Sequence, residues 1–302
     1  MPITKLEQMF DLLKSKEKKQ LVAAYANDSH TIGAVSQAVD MGLIEATLVG
    51  DTDTINKVCS EMNINPGKFT IVQEADEIKA AEKAVALINE GKGHILMKGL
   101  VSSDKYMRAI LNKEKGLMSN PNAVLSHVTV IETPQYPKLL IVADVAIIPL
   151  PDLKQKIVMT NYLIKTAHAL GIEKPKIAIL AATEQMSAGM PACVDAAIIA
   201  KMADRGQIKG AIVDGPLALD VAVDKESCEI KKLNSPIHGD TDCILFPNIE
   251  SGNVFFKTNT KLAGGELGAV VFGAKVPAVL TSRGDSEKTK LYSIALAACL
   301  AK

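Results

Sequence analysis

The sequence predicts an α/β protein of two domains, each built on a largely parallel sheet with helices on both faces. Strand-length apolar runs alternate with stretches of helical spacing along nearly the whole chain, which is the pattern of repeated strand–helix units. The apolar content is 48% while aromatic residues are only 4% and Trp is absent. The core is therefore aliphatic, as buried parallel strands require. With 302 residues, the chain exceeds one typical core and suits two domains of about 150 residues each.

The elements follow in order. Strands are expected over 21–26, 46–49, 69–72 and 94–97, each followed by a helical pattern over 31–41, 52–62, 77–90 and 102–112. The pattern changes after Lys113. Two strand-like runs, 123–132 and 138–144, are separated only by a short link containing Pro134 and Pro137. So short a link permits antiparallel pairing and excludes a parallel crossover, and the prolines make it a plausible hinge. A second series follows: helix 153–170, strand 176–181, helix 192–205, and strands 211–213, 243–246 and 269–272. A last strand, 278–280, leads through the loop at Ser282 into a helix over 286–301. This places one domain at 1–137 with 278–302 and the other at 138–277.

Composition excludes several function classes. Lys+Arg and Asp+Glu are equal at 34 each, so no global charge excess draws the chain to nucleic acid or a membrane surface. Five cysteines, none in a CxxC pair, form neither a disulfide framework nor a zinc ribbon. Reduced thiols fit a cytoplasmic protein. No apolar run is long enough to span a bilayer, and the N-terminal stretch is charged and amphipathic, without a signal core.

In open α/β sheets, ligands bind beyond the carboxyl ends of strands, and three polar segments are read as following strands. Lys98-Gly99 with Ser102-Ser103 offers an ammonium and turn N–H groups to a phosphate, although the spacing is not that of a nucleotide P-loop. Asp214 and Asp220 bracket a second turn, where they suit a metal, the polar part of a cofactor, or helix capping. Ser282-Arg283-Gly284 opens the last helix. There Arg283 can offer a planar fork to phosphate oxygens, Ser282 a hydrogen bond, and Gly284 a close backbone approach. Read alone, this loop suits a cap by Asp285 or Ser286 better than a functional site, and the Lys98 turn better suits a capped helix with a surface lysine. Asn248 and Asn253 suit turns or a cofactor contact. Asp240 and Asp242 lack the terminal Glu of a calcium loop. Ser126-His127 has no nucleophile elbow around it, and the five His residues show no metal-ligand spacing.

Taken in order, Met97-Lys98-Gly99-Leu100-Val101-Ser102, Leu125-Ser126-His127-Val128, Met190-Pro191-Ala192-Cys193, Arg205-Gly206-Gln207-Ile208, Val213-Asp214-Gly215-Pro216, Pro247-Asn248-Ile249-Glu250 and Leu280-Thr281-Ser282-Arg283 closely resemble the phosphate acetyl/butyryltransferase family, on its butyryltransferase side. The resemblance covers about 21–301. It implies a fold like that of isocitrate and isopropylmalate dehydrogenases, with two α/β/α domains, a cleft between them and a last segment returning to the first domain. It implies reversible transfer of an acyl group between coenzyme A and phosphate, no covalent acyl-enzyme, and a homodimer or higher homo-oligomer. In the acetyltransferase branch, the pair matching Ser282 and Arg283 is implicated in catalysis. A later Asp proposed as base for the thiol is matched by Thr289, which leaves the base unnamed here.

The reading is an acyl-CoA:phosphate acyltransferase, with butyryl-CoA as expected substrate and direct transfer in a ternary complex. The catalytic candidates are Ser282 and Arg283. The substrate-binding candidates are Lys98, Gly99, Ser126, Asp214, Asn248 and Gly284. No metal and no tightly bound cofactor are expected, coenzyme A entering as a substrate. The alternatives are a phosphate acetyltransferase, a metal- and nicotinamide-dependent dehydrogenase of the same fold using Asp214, Asp220 and Asp242, and a non-catalytic sensor of coenzyme A or phosphate.

Overall fold

The structure is a computed structural model describing residues 2–118, 120, 123–281 and 285–302. Among these, the terminal part begins with α1 (Gln8–Lys14), β1 (Lys19–Ala24), α2 (Ser29–Asp40), β2 (Ile44–Gly50), α3 (Thr52–Glu61) and β3 (Thr70–Gln73). It continues with α4 (Glu77–Asn89), β4 (Ile95–Lys98) and α5 (Ser103–Leu111). Next come β5 (Ser126–Glu132), β6 (Leu140–Ala143), α6 (Leu153–Ala169), β7 (Lys176–Leu180), α7 (Pro191–Asp204) and β8 (Ile212–Leu217). The chain then forms α8 (Leu219–Val223), α9 (Lys225–Ile230), β9 (Cys243–Leu245), α10 (Ile249–Lys261), β10 (Glu266–Phe272), β11 (Ala278–Val279) and α11 (Glu287–Leu300). The mixed α/β class and all eleven expected strands are present.

The chain divides into two compact units, Glu7–Leu125 with Gly268–Lys302 (the terminal unit) and Met1–Leu6 with Ser126–Leu267 (the central unit). β5 and β6 pair antiparallel, Thr129 opposite Val142, as the short link demanded. Because the two strands form one hairpin, the Pro134–Pro137 turn lies inside the central unit. The first residues also join that unit: Ile3 N–H donates to Leu170 at 3.1 Å, and Leu6 N–H donates to the Glu132 carboxylate at 2.8 Å.

In the terminal unit the strand order is β3-β2-β1-β4-β11-β10. All neighbours there are parallel except β10 with β11. β1 sits in the middle, and Leu21, Val22, Ala23 and Ala24 are wholly buried. The last helix, α11, is buried along nearly its whole length from Lys290 to Cys299 and packs against α1 and α2. Phe10 of α1 stacks on Tyr292 at 5.6 Å. A helix apolar on all sides needs such cover on all sides.

In the central unit the order is β5-β6-β9-β7-β8, parallel throughout except for the hairpin. β6 and β9 are buried at every position. Two expectations are corrected here. Asp214-Gly215-Pro216 lies within β8 rather than beyond it. β8 ends the strand order, and its register with β7 shifts between Ala178 and Leu180, which is where a sheet accommodates proline. Asn253, read as a turn or cofactor residue, lies instead in the helix α10, which Asn248 caps. Its Gly252 has low helix propensity, but a Cβ there would lie 2.2 Å from the Asp144 carbonyl oxygen. Only glycine lets α10 approach that backbone.

Among the described residues no helix is long and apolar enough to cross a membrane. Gly252→Ala is expected to destabilise the protein by roughly 1–3 kcal/mol through overpacking, and an unchanged denaturant midpoint would refute the close approach. All five cysteines are buried, and burial pushes the Cys299 thiol up to about 11. A thiol reagent at neutral pH should therefore titrate none of them rapidly until denaturant is added. Fast labelling of the native protein would contradict this burial.

Candidate functional site

The strongest candidate site lies in the terminal unit, where β1, β4 and β11 end. Gly99 determines its geometry. The ladder between β1 and β4 continues past Lys98, because Gly99 N–H donates to Ala24 at 2.9 Å and Leu100 N–H to Tyr25 at 2.8 Å. A Cβ on residue 99 would stand 2.4 Å from the Tyr25 carbonyl oxygen and 2.8 Å from that of Ala24, so the position admits only glycine. Tyr25 itself adopts a left-handed φ of 57°. It turns the chain out of β1 toward Asp28, which caps α2 by accepting Thr31 N–H at 2.9 Å. Ser102 caps α5 in the same way.

Lys98 is only 4% exposed, which corrects the surface-lysine alternative. Its Nζ donates to the carbonyls of Gly99 at 3.1 Å and Val101 at 2.9 Å, so the ammonium curls over the turn that follows it. Lys98, Gly99 and Leu100 wall a cavity of about 220 Å³ together with Asp28, His30, Thr31, Thr281 and Lys290. Asp28 Oδ2 is enclosed and has no hydrogen-bond partner among the described residues. Ser282, Arg283 and Gly284 lie outside the described residues. The helix after them is capped by Ser286, which accepts Thr289 N–H at 3.1 Å. The Thr289 hydroxyl shares a 3.0 Å hydrogen bond with the Ser286 hydroxyl.

The structure assigns the remaining candidates, all in the central unit, to internal bonds. Ser126 Oγ donates to Asp144 Oδ2 at 3.0 Å, and His127 N–H reaches the same oxygen. Asp144 Oδ1 accepts Ala146 N–H at 2.7 Å and Ile147 N–H at 2.8 Å. Asp144 is thus a buried carboxylate holding four donors, and sequence reasoning missed it because it looked like the polar end of a strand. Asp214 accepts Ser235 Oγ at 2.6 Å and Gly215 N–H at 2.9 Å. Asn248 caps α10 through Ser251 N–H at 2.9 Å.

The aspartates of the dehydrogenase alternative have separate partners. Asp220 pairs with Lys231 at 2.8 Å, and Asp242 with Lys138 at 2.6 Å and Lys176 N–H at 2.8 Å. Beside it, burial opposes ionisation of Asp240, but hydrogen bonds from Lys138 and Lys176 prevail and hold its carboxyl below the usual range. Among the described residues no group of three His, Cys, Asp or Glu side chains is placed to share a metal ion.

The central unit has an apolar cavity of about 440 Å³ walled by Leu180, Leu219, Phe246, Pro247, Val254 and Phe255. Phe246 and Phe255 meet there at 5.3 Å between ring centroids.

Asp144→Ala should cost at least about 3 kcal/mol, because four buried donors lose their acceptor. Asp144→Asn, which keeps an acceptor, should cost less. Equal denaturation midpoints for Asp144→Ala and the unsubstituted protein would remove the anchoring role.

Comparison with known proteins places the chain in a family. The chain is 45% identical over 289 residues to phosphate butyryltransferase of Clostridium acetobutylicum, covering 96% of this chain and 95% of that protein. It is 38% identical over 296 residues to phosphate acetyltransferase of Thermotoga maritima, covering 98% and 99% respectively. The crystal structure of a branched-chain phosphotransacylase from Enterococcus faecalis V583 superposes with a TM-score of 0.80 at 29% identity, over 94% of this chain and 100% of that one. Residues 72–298 match the phosphate acetyl/butaryl transferase description, and the chain belongs to that family.

Proposed function

We propose that this chain is an acyl-CoA:phosphate acyltransferase that interconverts acyl-CoA plus phosphate with acyl phosphate plus coenzyme A, with butyryl as its preferred acyl group. The observation that carries the reading is whole-length similarity to a phosphate butyryltransferase. The cavity supports it physically. Buried ammonium groups beside a helix start suit an oxyanion, because backbone N–H groups and fixed positive charge stabilise it without reorganisation.

In this reading both substrates are bound together. The coenzyme A sulfur, having lost its proton, attacks the carbonyl carbon of the acyl phosphate. The C–S bond forms, the bond from the acyl carbon to its phosphate oxygen breaks, and phosphate leaves with that oxygen. Arg283 and Lys98 hold the phosphoryl oxygens. Ser282 donates to the carbonyl oxygen as it becomes an oxyanion, an effect worth roughly 3 kcal/mol per donor. Gly99 shapes the turn that presents Lys98. Ser126, Asp214 and Asn248 are substrate-binding groups in this reading, held in place by the internal bonds described above.

No resident metal or cofactor has a part in this chemistry. The protein acts in the cytoplasm as a homo-oligomer, a reading supported by its buried, unpaired thiols and by Val194 and Ile198, apolar and exposed one turn apart on α7. Arg283→Ala should lower turnover at least about 100-fold while leaving the unfolding midpoint unchanged, and undiminished phosphate-dependent thiol release would remove the assignment. Release of thiol from butyryl-CoA should require phosphate and persist in excess chelator. Loss of activity in chelator, or hydride transfer to a nicotinamide, would favour the dehydrogenase instead. A series of acyl-CoA chain lengths separates butyryl from acetyl preference.

A further inference from the structure

The cavity of the terminal unit contains a second buried cation, which the sequence motifs did not single out. Lys290 is the fourth residue of α11 and is only 4% exposed. Its Nζ donates to the Asp285 carbonyl at 2.7 Å. This is an unfavourable place for a lysine on two counts: the first turn of a helix carries the positive end of the macrodipole, and removing an ammonium from water is costly. Lys98, equally buried, lines the same cavity, as do His30 and Thr31 at the start of α2. The first N–H groups of α2 add partial positive charge, since a helix leaves them without intrahelical acceptors.

Against these cations the described lining of the cavity carries one carboxylate, Asp28. One of its oxygens is engaged in capping α2, and the other is enclosed without a hydrogen-bond partner among the described residues. The cavity therefore favours a ligand with net negative charge that also carries a donor. Monohydrogen phosphate has both, with ionised oxygens for the ammonium groups and one O–H for an acceptor.

We propose that Lys290 binds the phosphoryl group of the phosphate substrate in this cavity, acting with Lys98. The proposal rests on the acyltransferase reading above and assigns that site a residue outside the Ser282-Arg283 pair. Two other accounts compete with it. Lys290 can serve only to pin the start of α11 through Asp285, or it can hold a phosphate of coenzyme A rather than the transferred one. Both ligands present the same oxyanion chemistry, so kinetics must separate them.

The full-length protein is assayed for thiol release from butyryl-CoA as Lys290→Met and Lys290→Arg. Loss of a charge-assisted contact should raise the phosphate KM about tenfold or more in Lys290→Met. The KM for butyryl-CoA should stay within about twofold, and Lys290→Arg should recover most of the loss. In parallel, inorganic phosphate alone should raise the thermal midpoint of the unsubstituted protein, and less so that of Lys290→Met. An unchanged phosphate KM with an undiminished phosphate-induced shift overturns the proposal in favour of pinning. A raised butyryl-CoA KM with an unchanged phosphate KM overturns it in favour of coenzyme A. Should Lys290→Met not fold, reductive methylation of the unsubstituted protein decides. Phosphate should slow labelling of Lys290, and equal labelling with and without phosphate overturns the proposal. Failure of the unsubstituted protein to release thiol sinks the acyltransferase reading instead, and the midpoint and labelling measurements remain readable without turnover.

Discussion

Where β4 leaves the terminal sheet, its backbone stays bonded to the segment leaving β1 for two residues longer than the regular strands. That contact is possible because residue 99 has no side chain, and the carbonyls of Ala24 and Tyr25 occupy the space a Cβ would fill. Much else around the cavity depends on it. It fixes the turn over which Lys98 folds, and it holds the exit of β1 in place so that Asp28 can begin α2. β11 pairs with β4 from the other side, bringing Thr281 to the same end of the sheet. A charged cavity is thus assembled from three strand exits by backbone hydrogen bonds, whose geometry is far less adjustable than that of side chains.

The central unit solves a similar problem differently. Its polar anchors are carboxylates that collect donors: Asp144 gathers one hydroxyl and three backbone N–H groups, and Asp242 joins Lys138 to the backbone of Lys176. Each buried charge is offset by several hydrogen bonds, the condition under which a carboxylate tolerates removal from water. Such groups are committed to the fold. In the terminal unit, Asp28 has an oxygen with no such commitment among the described residues, and this difference distinguishes a candidate ligand group from a structural one better than residue type does.

Much of the architecture was legible in the chain. Strands rich in Val, Ile and Leu announce themselves by composition, and the hairpin of β5 and β6 followed from the shortness of its link. α10 was hidden because its first turns carry Ser251, Gly252 and Asn253, residues whose local preference is for turns. The tertiary demand that forces glycine there, the Asp144 carbonyl, is more than a hundred positions away in the sequence. Asp214 was read as following a strand because Asp214-Gly215-Pro216 is a polar, glycine-containing segment. The edge position that lets β8 continue through Pro216 is a property of the sheet. At the site, Lys98 was legible from its place after a strand. Lys290 was not, because a lysine within a charged first turn looks solvated until the packing of α11 is known. The motif carried by Ser282 and Arg283 was legible through family resemblance, since a serine–arginine pair alone is too common to be informative.

The cap of α11 bears on the missing thiol base. Thr289 gives its N–H to Ser286 and shares a hydroxyl hydrogen bond with it, so this position serves the helix start. A carboxylate there would sit beside Lys290 in the sequence and in the favourable field of the helix N-terminus. It would also act as a built-in competitor, offering those cations a permanent negative partner in place of a transient one. With threonine, this position adds no carboxylate beside those cations, and in the proposed reaction proton removal is left to another group or to the solvent. In the proposed reaction, anion capture and proton abstraction are then separate tasks.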